Sequence, residues 1–296
     1  MRLPRLAVTL GDPRGIGPEV VGKALADPAV RALADVCVIG PSGAPLAVDE
    51  SIGSWTSGSG AAAAGKLAGL AIERAVALAQ DGQVDGIVTA PLDKSALLQG
   101  GYRYPGHTEM LAALTGTRTV MMLTSDRLRV VLATAHIALR DVAASVTREL
   151  LVDTAAITRR GLSDWFGVPE PRIALCALNP HAGDHGRFGD EDDRVLGPAA
   201  VAAGLQGPFP ADTVFVRAMR GAFDAVIAPY HDVGMTAIKV ASFGAAVNVT
   251  LGLPFPRCSP DHGTALDIAG AGRADPSSTK AAIRMCADIA SRLRRD

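Results

Sequence analysis

Aromatic residues are scarce in this 296-residue sequence, at 4% of the total. Few stacking side chains are therefore available to bind single-stranded nucleic acid. The sequence also lacks a basic surplus, because its formal net charge is -1 at pH 7, whereas binding to a phosphate backbone depends on such a surplus. Composition thus argues against nucleic acid as a partner.

Long apolar runs are missing as well. No stretch of about 18 uncharged apolar residues, the length that spans a membrane, occurs in the sequence. The apolar stretch near the start is broken at once by Gly11-Asp12-Pro13 and is too short for the core of a signal peptide. We therefore expect a cytoplasmic protein with no membrane partner.

Cysteine is rare, and no two cysteines form a CxxC pair. The four residues are Cys37, Cys176, Cys258 and Cys286. Most of them lie within apolar stretches, where a small buried side chain suffices. We interpret all four as reduced core residues.

Hydrophobic residues make up 48% of the sequence and charged residues 20%, a composition that is typical of a globular protein. The length corresponds to about two domains. Apolar runs that resemble strands alternate with helical patterns. We predict strands over 6–10, 36–40, 85–90, 119–125, 128–135, 172–178, 224–230 and 245–252, and the clearest helices over 17–27, 61–82 and 147–167. The alternation predicts an α/β fold with mostly parallel sheets covered on both faces. The runs at 119–135 indicate an antiparallel hairpin, and the Gly- and Ser-rich residues 51–60 indicate a loop.

All six histidines lie in polar junctions that follow apolar runs. Three of them, His136, His181 and His231, follow three separate predicted strands. Residues beyond the carboxyl ends of strands in an open α/β sheet converge on one site. Three imidazoles there would suit a divalent metal with one open coordination position. The spacing matches no local metal motif, so ordinary loop or substrate-binding histidines are the alternative.

Two turns before predicted helical stretches carry polar residues. His107 lies directly before Thr108 and Glu109, which open an apolar helical stretch whose free amides would favour a phosphate or a carboxylate. Thr108 would serve equally well as a simple helix cap. The second turn, Gly11–Glu19, is either a weak nucleotide signal or a structural tight turn.

The segment Asp261–Pro276 combines glycines with Asp267, whose carboxylate is suited to a ribose diol and would repel an extra 2′-phosphate. It therefore favours NAD over NADP, and a capped helix with a glycine-rich exit is the alternative. Lys239, Asn248 and Arg257 lie in the apolar stretch before it, where buried polar groups need partners. Either an anionic substrate or internal ion pairs would supply them.

Taken together, these segments resemble the 4-hydroxythreonine-4-phosphate dehydrogenase family of vitamin B6 biosynthesis. The resemblance covers most of the chain in the same order. Its motifs are GDPRGIGPE (11–19), APLDKSAL (90–97), GYRYPGHTE (101–109), ATAHIALRDV (133–142), NPHAGDHGRFGDED (179–192), GPFPADTVF (207–215), YHDVG (230–234) and the segment 247–278. The stretches 11–20 and 261–272 are also similar to isocitrate and isopropylmalate dehydrogenases.

The resemblance implies a particular domain organisation. We expect two α/β/α domains with mostly parallel sheets, like those of isocitrate and isopropylmalate dehydrogenases, with a cleft between them. Residues 1–125 and 255–296 would form the first domain, on the dinucleotide side. Residues 126–254 would form the second, with the metal ligands and the contact of a homodimer.

The resemblance also implies the ligands of the site. A divalent metal (Zn2+, Mg2+ or Co2+) would be bound by His136, His181 and His231, with histidines drawn from both subunits. The phosphorylated substrate would contact His107, Thr108, Lys239, Asn248 and Arg257. The dinucleotide, NAD or alternatively NADP, would lie against His262, Gly263, Thr264 and Asp267.

The implied reaction is an NAD-dependent oxidation of 4-phosphohydroxy-L-threonine, followed by decarboxylation to 3-amino-2-oxopropyl phosphate. The metal would lower the pKa of the substrate's secondary hydroxyl while hydride passes to nicotinamide. Lys239 or Asp232 would accept the hydroxyl proton.

The chain departs from the family pattern at two places. Val233 stands where the family usually has glutamine, which would alter the substrate, and the segment near 41–62 is shortened. Relatives that oxidise D-threonate or D-erythronate 4-phosphate are therefore an alternative. A phosphate acyltransferase of the same fold is a further alternative, but it would need neither the three histidines nor Asp267.

If metal chelation carries the chemistry, His181→Ala should abolish turnover, because the reacting hydroxyl loses its Lewis acid. The affinity for NAD+, measured by isothermal titration calorimetry, should stay nearly unchanged, because no predicted cofactor residue is altered. Parallel loss of turnover and of NAD+ binding would indicate misfolding and would contradict the metal assignment.

Overall fold

A computed structural model describes residues 2–242 and 245–294. The strands along the chain are β1 (Arg5–Thr9), β2 (Asp35–Ser42), β3 (Glu50–Ser54), β4 (Gly86–Thr89), β5 (Val120–Thr124), β6 (Arg129–Leu132), β7 (Ile173–Cys176), β8 (Gln206–Phe209), β9 (Ala225–Ala228), β10 (Val247–Leu251) and β11 (Arg257–Pro260). The helices are α1 (Gly17–Ala26), α2 (Pro28–Arg31), α3 (Gly60–Gln80), α4 (Lys94–Gln99), α5 (His107–Thr115), α6 (Leu139–Ser145), α7 (Arg148–Asp164), α8 (Gly197–Ala203), α9 (Ala211–Met219), α10 (His231–Ser242) and α11 (Ser277–Leu293). The alternation of strands and helices confirms the predicted α/β class.

The chain divides into two compact units. The first contains the segment up to Thr119 and the segment from Val247 onward, and the second is Val120–Ala246. Both boundaries fall a few residues earlier than the expected ones after residues 125 and 254. The cause is strand pairing: β5 pairs with β6, which places both in the second unit, and β10 pairs with β11, which places both in the first.

In the first unit the strand order is β3-β2-β1-β4-β11-β10. Neighbouring strands are parallel, except that β10 runs antiparallel to β11. Every residue of β4 and β11 is buried. Because successive side chains of a strand point to opposite faces, both faces of this sheet are covered. The helices pack in two groups, α3 with α4 and α5, and α11 with α1 and α2.

In the second unit the strand order is β5-β6-β9-β7-β8. β5 and β6 form the predicted antiparallel hairpin, and the other neighbouring pairs are parallel. The core is built from apolar residues of β6, β7 and β9 and of the helices α9 and α10. All four residues of β7 and of β9 are buried, because parallel central strands are covered on both faces. Their sequences are therefore continuous apolar runs.

The loop expected at 51–60 is partly wrong, because Glu50–Ser54 forms the strand β3. β3 lies at the edge of the sheet and pairs only with β2. Most of its residues are exposed, so its composition is polar and resembles that of a loop.

All four cysteines are buried and form no disulfides, as predicted. No helix within residues 2–242 and 245–294 is long and apolar enough to cross a membrane.

Gly65 lies at a close contact between the helices α3 and α4 of the first unit. A Cβ atom added at Gly65 of α3 would lie 1.8 Å from the backbone oxygen of Ala96 in α4. The amide of Ala96 is held in turn by the Asp93 side chain, which caps α4 at an N···O distance of 2.6 Å. The backbone of α4 therefore has little freedom to move away.

We expect Gly65→Ala to lower the free energy of unfolding by about 1–3 kcal/mol, because overpacking forces the two helix backbones apart. Gly22→Ala in α1 is the matched control. Its Cβ would meet only the Leu46 side chain, at 3.4 Å, and a helical Gly→Ala change gains about 0.5–1 kcal/mol. Urea denaturation measures both variants, and equal stabilities would contradict the prediction.

Candidate active site

Three histidines follow the carboxyl ends of three neighbouring strands of the second unit. His136 follows β6, His231 follows β9 and begins α10, and His181 follows β7. β6, β9 and β7 are adjacent and parallel, with β9 in the middle. Parallel pairing therefore places all three histidines beyond the same edge of this sheet. This is the placement that the sequence predicts.

The backbone fixes two of these histidines relative to each other. Beyond the ends of β6 and β9, Thr134 donates from its amide and from Oγ1 to the carbonyl of Pro229, at 3.2 and 2.7 Å. The two chain segments thus stay paired up to the turn. The rings of His136 and His231 lie beside each other, with 5.8 Å between their centroids.

Asp232 orients the ring of His231. The Nδ1 atom of His231 lies 3.2 Å from Oδ1 of Asp232. When Nδ1 carries the proton and donates it to this carboxylate, the lone pair of Nε2 is free to bind a metal. Asp232 is itself exposed, with 82% of its side chain accessible.

His181 lies in a short 3-10 turn, Pro180–Gly183, whose backbone is unusual. Every residue from His181 to Gly186 has a positive φ, and four of these are not glycine. The His181 ring lies against Phe188, with 6.3 Å between centroids.

Among residues 2–242 and 245–294, no group of three His, Cys, Asp or Glu side chains is arranged to hold a metal. The complete trio of ligands therefore stays a prediction.

Asp192 is a residue of this region that our sequence analysis missed. It is 1% exposed and belongs to a π-helical turn, Asp192–Leu196. Its carboxylate accepts from the amides of Leu178 and Asn179, at 2.8 and 2.9 Å. These amides lie directly before the left-handed turn, so Asp192 fixes the chain that leads to His181. A run of acidic residues such as Asp190–Asp193 is typical of a solvent-exposed surface. The sequence pattern of this run does not indicate that one of its members is buried.

Lys239 and Asp232, the two predicted proton acceptors, both lie on α10. They are seven residues apart, which separates them by about 10 Å along the helix axis. Lys239 is exposed, so the expectation of a buried lysine in this stretch is wrong. The apolar residues around it in sequence form the inner face of an amphipathic helix instead.

Val233, the departure from the family pattern, faces an apolar environment. It packs against the core of the second unit and lines a groove of about 770 Å³ between α9 and α10. Phe215, Val216 and Val240 line the same groove. A valine therefore matches its surroundings at this position.

Arg257 is the most unusual charge of the first unit. It is 1% exposed, and burial lowers the pKa of its guanidinium to about 10. It donates to the hydroxyls of Thr250, at 3.0 Å, and Thr89, at 2.5 Å. Its Nε atom has no hydrogen-bond partner, and no carboxylate forms an ion pair with it among the described residues. A buried cation with only neutral partners is an electrostatic site for an anion.

Nε2 of His107 and Oδ1 of Asn248 are also among the polar atoms of the first unit that are buried without hydrogen-bond partners in the described part of the chain. His107 is the first residue of α5, and Thr108 is the second. The N-cap of α5 is Gly106, without a side-chain cap, so Thr108 is not a simple helix cap. Burial, followed by the charges of Arg257 and Lys94, holds the pKa of His107 well below its ordinary value.

Lys94 is a second residue that sequence reasoning missed. Its charge lowers the pKa of His107, so it belongs to the same electrostatic cluster as Arg257. It opens α4 after the Asp93 cap. The signal that could have found it is the position of APLDKS directly after the apolar run 85–90.

The predicted dinucleotide residues lie in an irregular segment between β11 and α11. Gly263 and Asp267 are exposed, and Thr264 is half-buried. Nε2 of His262 is buried and has no partner among the described residues. The structure contains no helix over 262–272, which removes the alternative of a capped helix for this stretch.

The turn Gly11–Glu19 packs against this segment. A Cβ atom at Gly11, which has φ +66°, would lie 2.1 Å from the oxygen of Pro91. A Cβ atom at Gly15 would lie 2.8 Å from the oxygen of Thr264. The glycines are therefore required by close backbone contacts, so a structural tight turn accounts for them.

The fold is that of an α/β enzyme, and the buried polar cluster around Arg257 is chemically suited to an anion. The family described as pyridoxal phosphate biosynthetic protein PdxA matches residues 27–286. The chain belongs to this family, which confirms the resemblance found in the sequence.

Similar proteins support the same class. The chain is 44% identical over 325 aligned residues to 4-hydroxythreonine-4-phosphate dehydrogenase of Geobacter metallireducens, covering 97% of this chain and 96% of the relative. It is 43% identical over 329 residues to D-threonate 4-phosphate dehydrogenase of Cupriavidus necator, covering 98% of each. The crystal structure of 4-hydroxythreonine-4-phosphate dehydrogenase from Klebsiella pneumoniae aligns with a TM-score of 0.85 and 39% identity, covering 97% of this chain and 98% of that one. The chain is thus a dehydrogenase, as predicted.

His107 should make stability depend on pH. Its folded pKa lies well below the ordinary value of 6.5, so the unfolded chain takes up the proton first as the pH falls. The free energy of unfolding should therefore decrease below about pH 6.5, by at most about 1.4 kcal/mol per pH unit for this group. Urea denaturation between pH 7.5 and roughly pH 5 should show a smaller loss for His107→Gln than for the wild type. Parallel profiles would show that His107 titrates normally.

Proposed function

We propose that this chain is a metal- and NAD-dependent dehydrogenase that oxidises 4-phosphohydroxy-L-threonine. Decarboxylation then gives 3-amino-2-oxopropyl phosphate in pyridoxal phosphate biosynthesis. The observation that carries the proposal is the buried, uncompensated guanidinium of Arg257. The names of the similar dehydrogenases support the substrate class, because both curated relatives act on a 4-phosphate.

In this proposal the phosphate of the substrate is bound in the first unit. Arg257 supplies the charge and keeps an unpaired Nε donor. Nε2 of His107, kept neutral by the lowered pKa, would donate to a phosphate oxygen or accept from a substrate group. Asn248 would use its buried amide oxygen to accept from a substrate hydroxyl or amine. Thr108 would add a hydroxyl in the first turn of α5, where an anion is favoured.

His136, His181 and His231 would hold the divalent metal in the second unit. The metal, when bound, would act as a Lewis acid that makes the substrate's secondary hydroxyl more acidic. Imidazole nitrogens suit Zn2+ or Co2+ better than Mg2+, which prefers oxygen ligands. The hydrogen bond from His231 to Asp232 supports this role, because it leaves Nε2 as the ligand atom.

A homodimer would complete the set of ligands. Two of the three imidazoles lie together in one chain, and a partner subunit would bring the further histidine. Exposed apolar residues support self-association through the second unit. They include Ile137 and Leu139, which follow His136, and Phe188, which contacts the His181 ring.

NAD would bind along residues 262–267. The exposed carboxylate of Asp267 would accept from the ribose hydroxyls and repel the 2′-phosphate of NADP. The exposed backbone at Gly263 would allow the dinucleotide to approach closely. His262 would use its unpartnered Nε2 atom to bind a polar group of the cofactor.

Asp232 or Lys239 would take the proton of the substrate hydroxyl. Asp232 lies next to the imidazole of His231, a proposed metal ligand, and Lys239 is exposed two turns further along α10.

The protein would act in a reducing compartment such as the cytoplasm. Four buried cysteines that form no disulfides support this proposal.

D-threonate 4-phosphate is the second candidate substrate, and D-erythronate 4-phosphate is a third. The 43% identity to a D-threonate 4-phosphate dehydrogenase favours the second candidate. Val233 favours it as well, because an apolar side chain follows Asp232 where the family pattern has an amide.

The assay that tests the proposal follows the NADH absorbance band with protein, NAD+, Zn2+ or Mg2+, and each phosphorylated substrate in turn. We expect the highest kcat/KM with 4-phosphohydroxy-L-threonine, together with release of CO2. Dephosphorylated substrates are the control and should react poorly, because Arg257 then lacks its anion. Oxidation of D-threonate 4-phosphate alone would refute the vitamin B6 assignment and leave the dehydrogenase assignment intact. No NADH with any substrate would refute both.

A further inference from the structure

The segment that would bind the dinucleotide has little regular structure of its own. Residues 262–275 contain no helix or strand in the structure, and Gly270 and Gly272 have positive φ values of 74° and 70°. Such a glycine-rich segment loses much conformational entropy when it is ordered. Its conformation must therefore be fixed by contacts with neighbouring elements.

Helix α1 holds the beginning of the segment. The amide of Ile16, at the N-cap of α1, donates to the carbonyl of Thr264 at 2.9 Å. Ile16 and Val20 also form a small buried cluster with Ala274. Ala265, Ile268 and Ala269 pack against this cluster. One face of the segment is thus attached to α1.

A charged pair on α1 holds the end of the segment. Oε1 of Glu19 accepts from the amide of Ala274 at 2.8 Å and from Nζ of Lys23 at 2.7 Å. Nζ of Lys23 also donates to the carbonyls of Gly272 and Ala274, at 2.9 and 2.8 Å. The side chain of Glu19 is 15% exposed and that of Lys23 is 37% exposed. Interaction with Lys23 holds the pKa of Glu19 below its ordinary value.

The ammonium group of Lys23 is saturated by these contacts. It has three protons to donate, and three acceptors of the protein surround it. Lys23 therefore has no proton left for a ligand. Its contacts are directed at the backbone of the segment, which is the arrangement of a positioning residue.

We propose that Glu19 and Lys23 are positioning residues that hold the segment 262–275 in the conformation that binds the dinucleotide. The inference rests on the proposed function, since it takes this segment as the NAD site. Asp267 lies between the two attachment points at Thr264 and at Gly272–Ala274. Its carboxylate is therefore presented by a segment fixed at both ends, and the ordering cost is met before the cofactor binds.

Lys23→Met tests the proposal. We expect the Kd for NAD+, measured by isothermal titration calorimetry without substrate, to rise about tenfold, because the segment must then be ordered on binding. The KM for NAD+ should rise by a similar factor while kcat changes less than about twofold, since no group that contacts the reacting atoms is altered. Lys23→Arg keeps the charge and several donors, and should lie between Lys23→Met and the wild type.

Lys280→Met is the matched control. Lys280 forms an ion pair of the same 2.7 Å length with Asp27 in the same unit, and its side chain is similarly exposed, at 33%. Its ammonium group donates to Asp27 and, among the described residues, forms no hydrogen bond with the segment 262–275, on which it acts only through its charge at Asp275. Its loss should therefore cost a similar amount of stability and leave the Kd for NAD+ nearly unchanged. Hydrogen exchange of the amides of 262–275 should become faster in Lys23→Met and not in Lys280→Met.

Three outcomes would overturn the proposal. One is an unchanged Kd for NAD+ in Lys23→Met, and another is an equal rise in Lys280→Met, which would indicate general destabilisation. The third is unaltered hydrogen exchange of the segment. A wild type that binds no NAD+ would instead refute the proposed cofactor site, and the exchange measurement would then decide alone whether the pair holds the segment.

Discussion

The burial of the Arg257 guanidinium, without a carboxylate partner among the described residues, is the electrostatic constraint on which the proposed substrate site of the first unit depends. Arg257 lies on β11 between Thr89 of β4 and Thr250 of β10, and their hydroxyls are its only hydrogen-bond partners in the described residues. Taking a guanidinium out of water costs several kcal/mol unless another charge compensates it. The fold tolerates this cost at Arg257, where the proposed function places the anionic group of the substrate. Burial, reinforced by this charge and by that of Lys94, holds the pKa of His107 below its ordinary value.

Parallel strand pairing is the second constraint. In the second unit it places His136, His231 and His181 beyond the ends of three adjacent strands. In the first unit, it places Arg257 of β11 opposite Ile87 of β4. Arg257 is therefore two residue positions before Thr89 along the common strand direction. In the proposed function the two units would carry different chemistry, with nitrogen ligands in the second unit and anion-binding and dinucleotide residues in the first. Strand topology places the three histidines and Arg257, whereas residues 262–267 are neighbours in the sequence itself.

Much of this could be predicted from the sequence. Alternating apolar and helical patterns were sufficient for the α/β class, for the hairpin at 119–135 and for the histidines at strand ends. The edge strand β3 was not predictable, because a half-exposed strand has the composition of a loop. The burial of Asp192 and the contacts of Lys23 with Gly272 and Ala274 were not predictable either. Hydrogen bonds between residues 249 and 251 positions apart leave no periodic signal in the chain.

The left-handed turn at His181 has a consequence for which residues the chain tolerates there. Ala182, Asp184 and His185 hold positive φ angles without being glycine, at a cost of about 1 kcal/mol or more each. Valine, isoleucine or threonine at any of them would add a steric clash to a backbone that is already unfavourable. Sequence variation in this turn is therefore limited by backbone geometry first, and only afterwards by what its side chains bind.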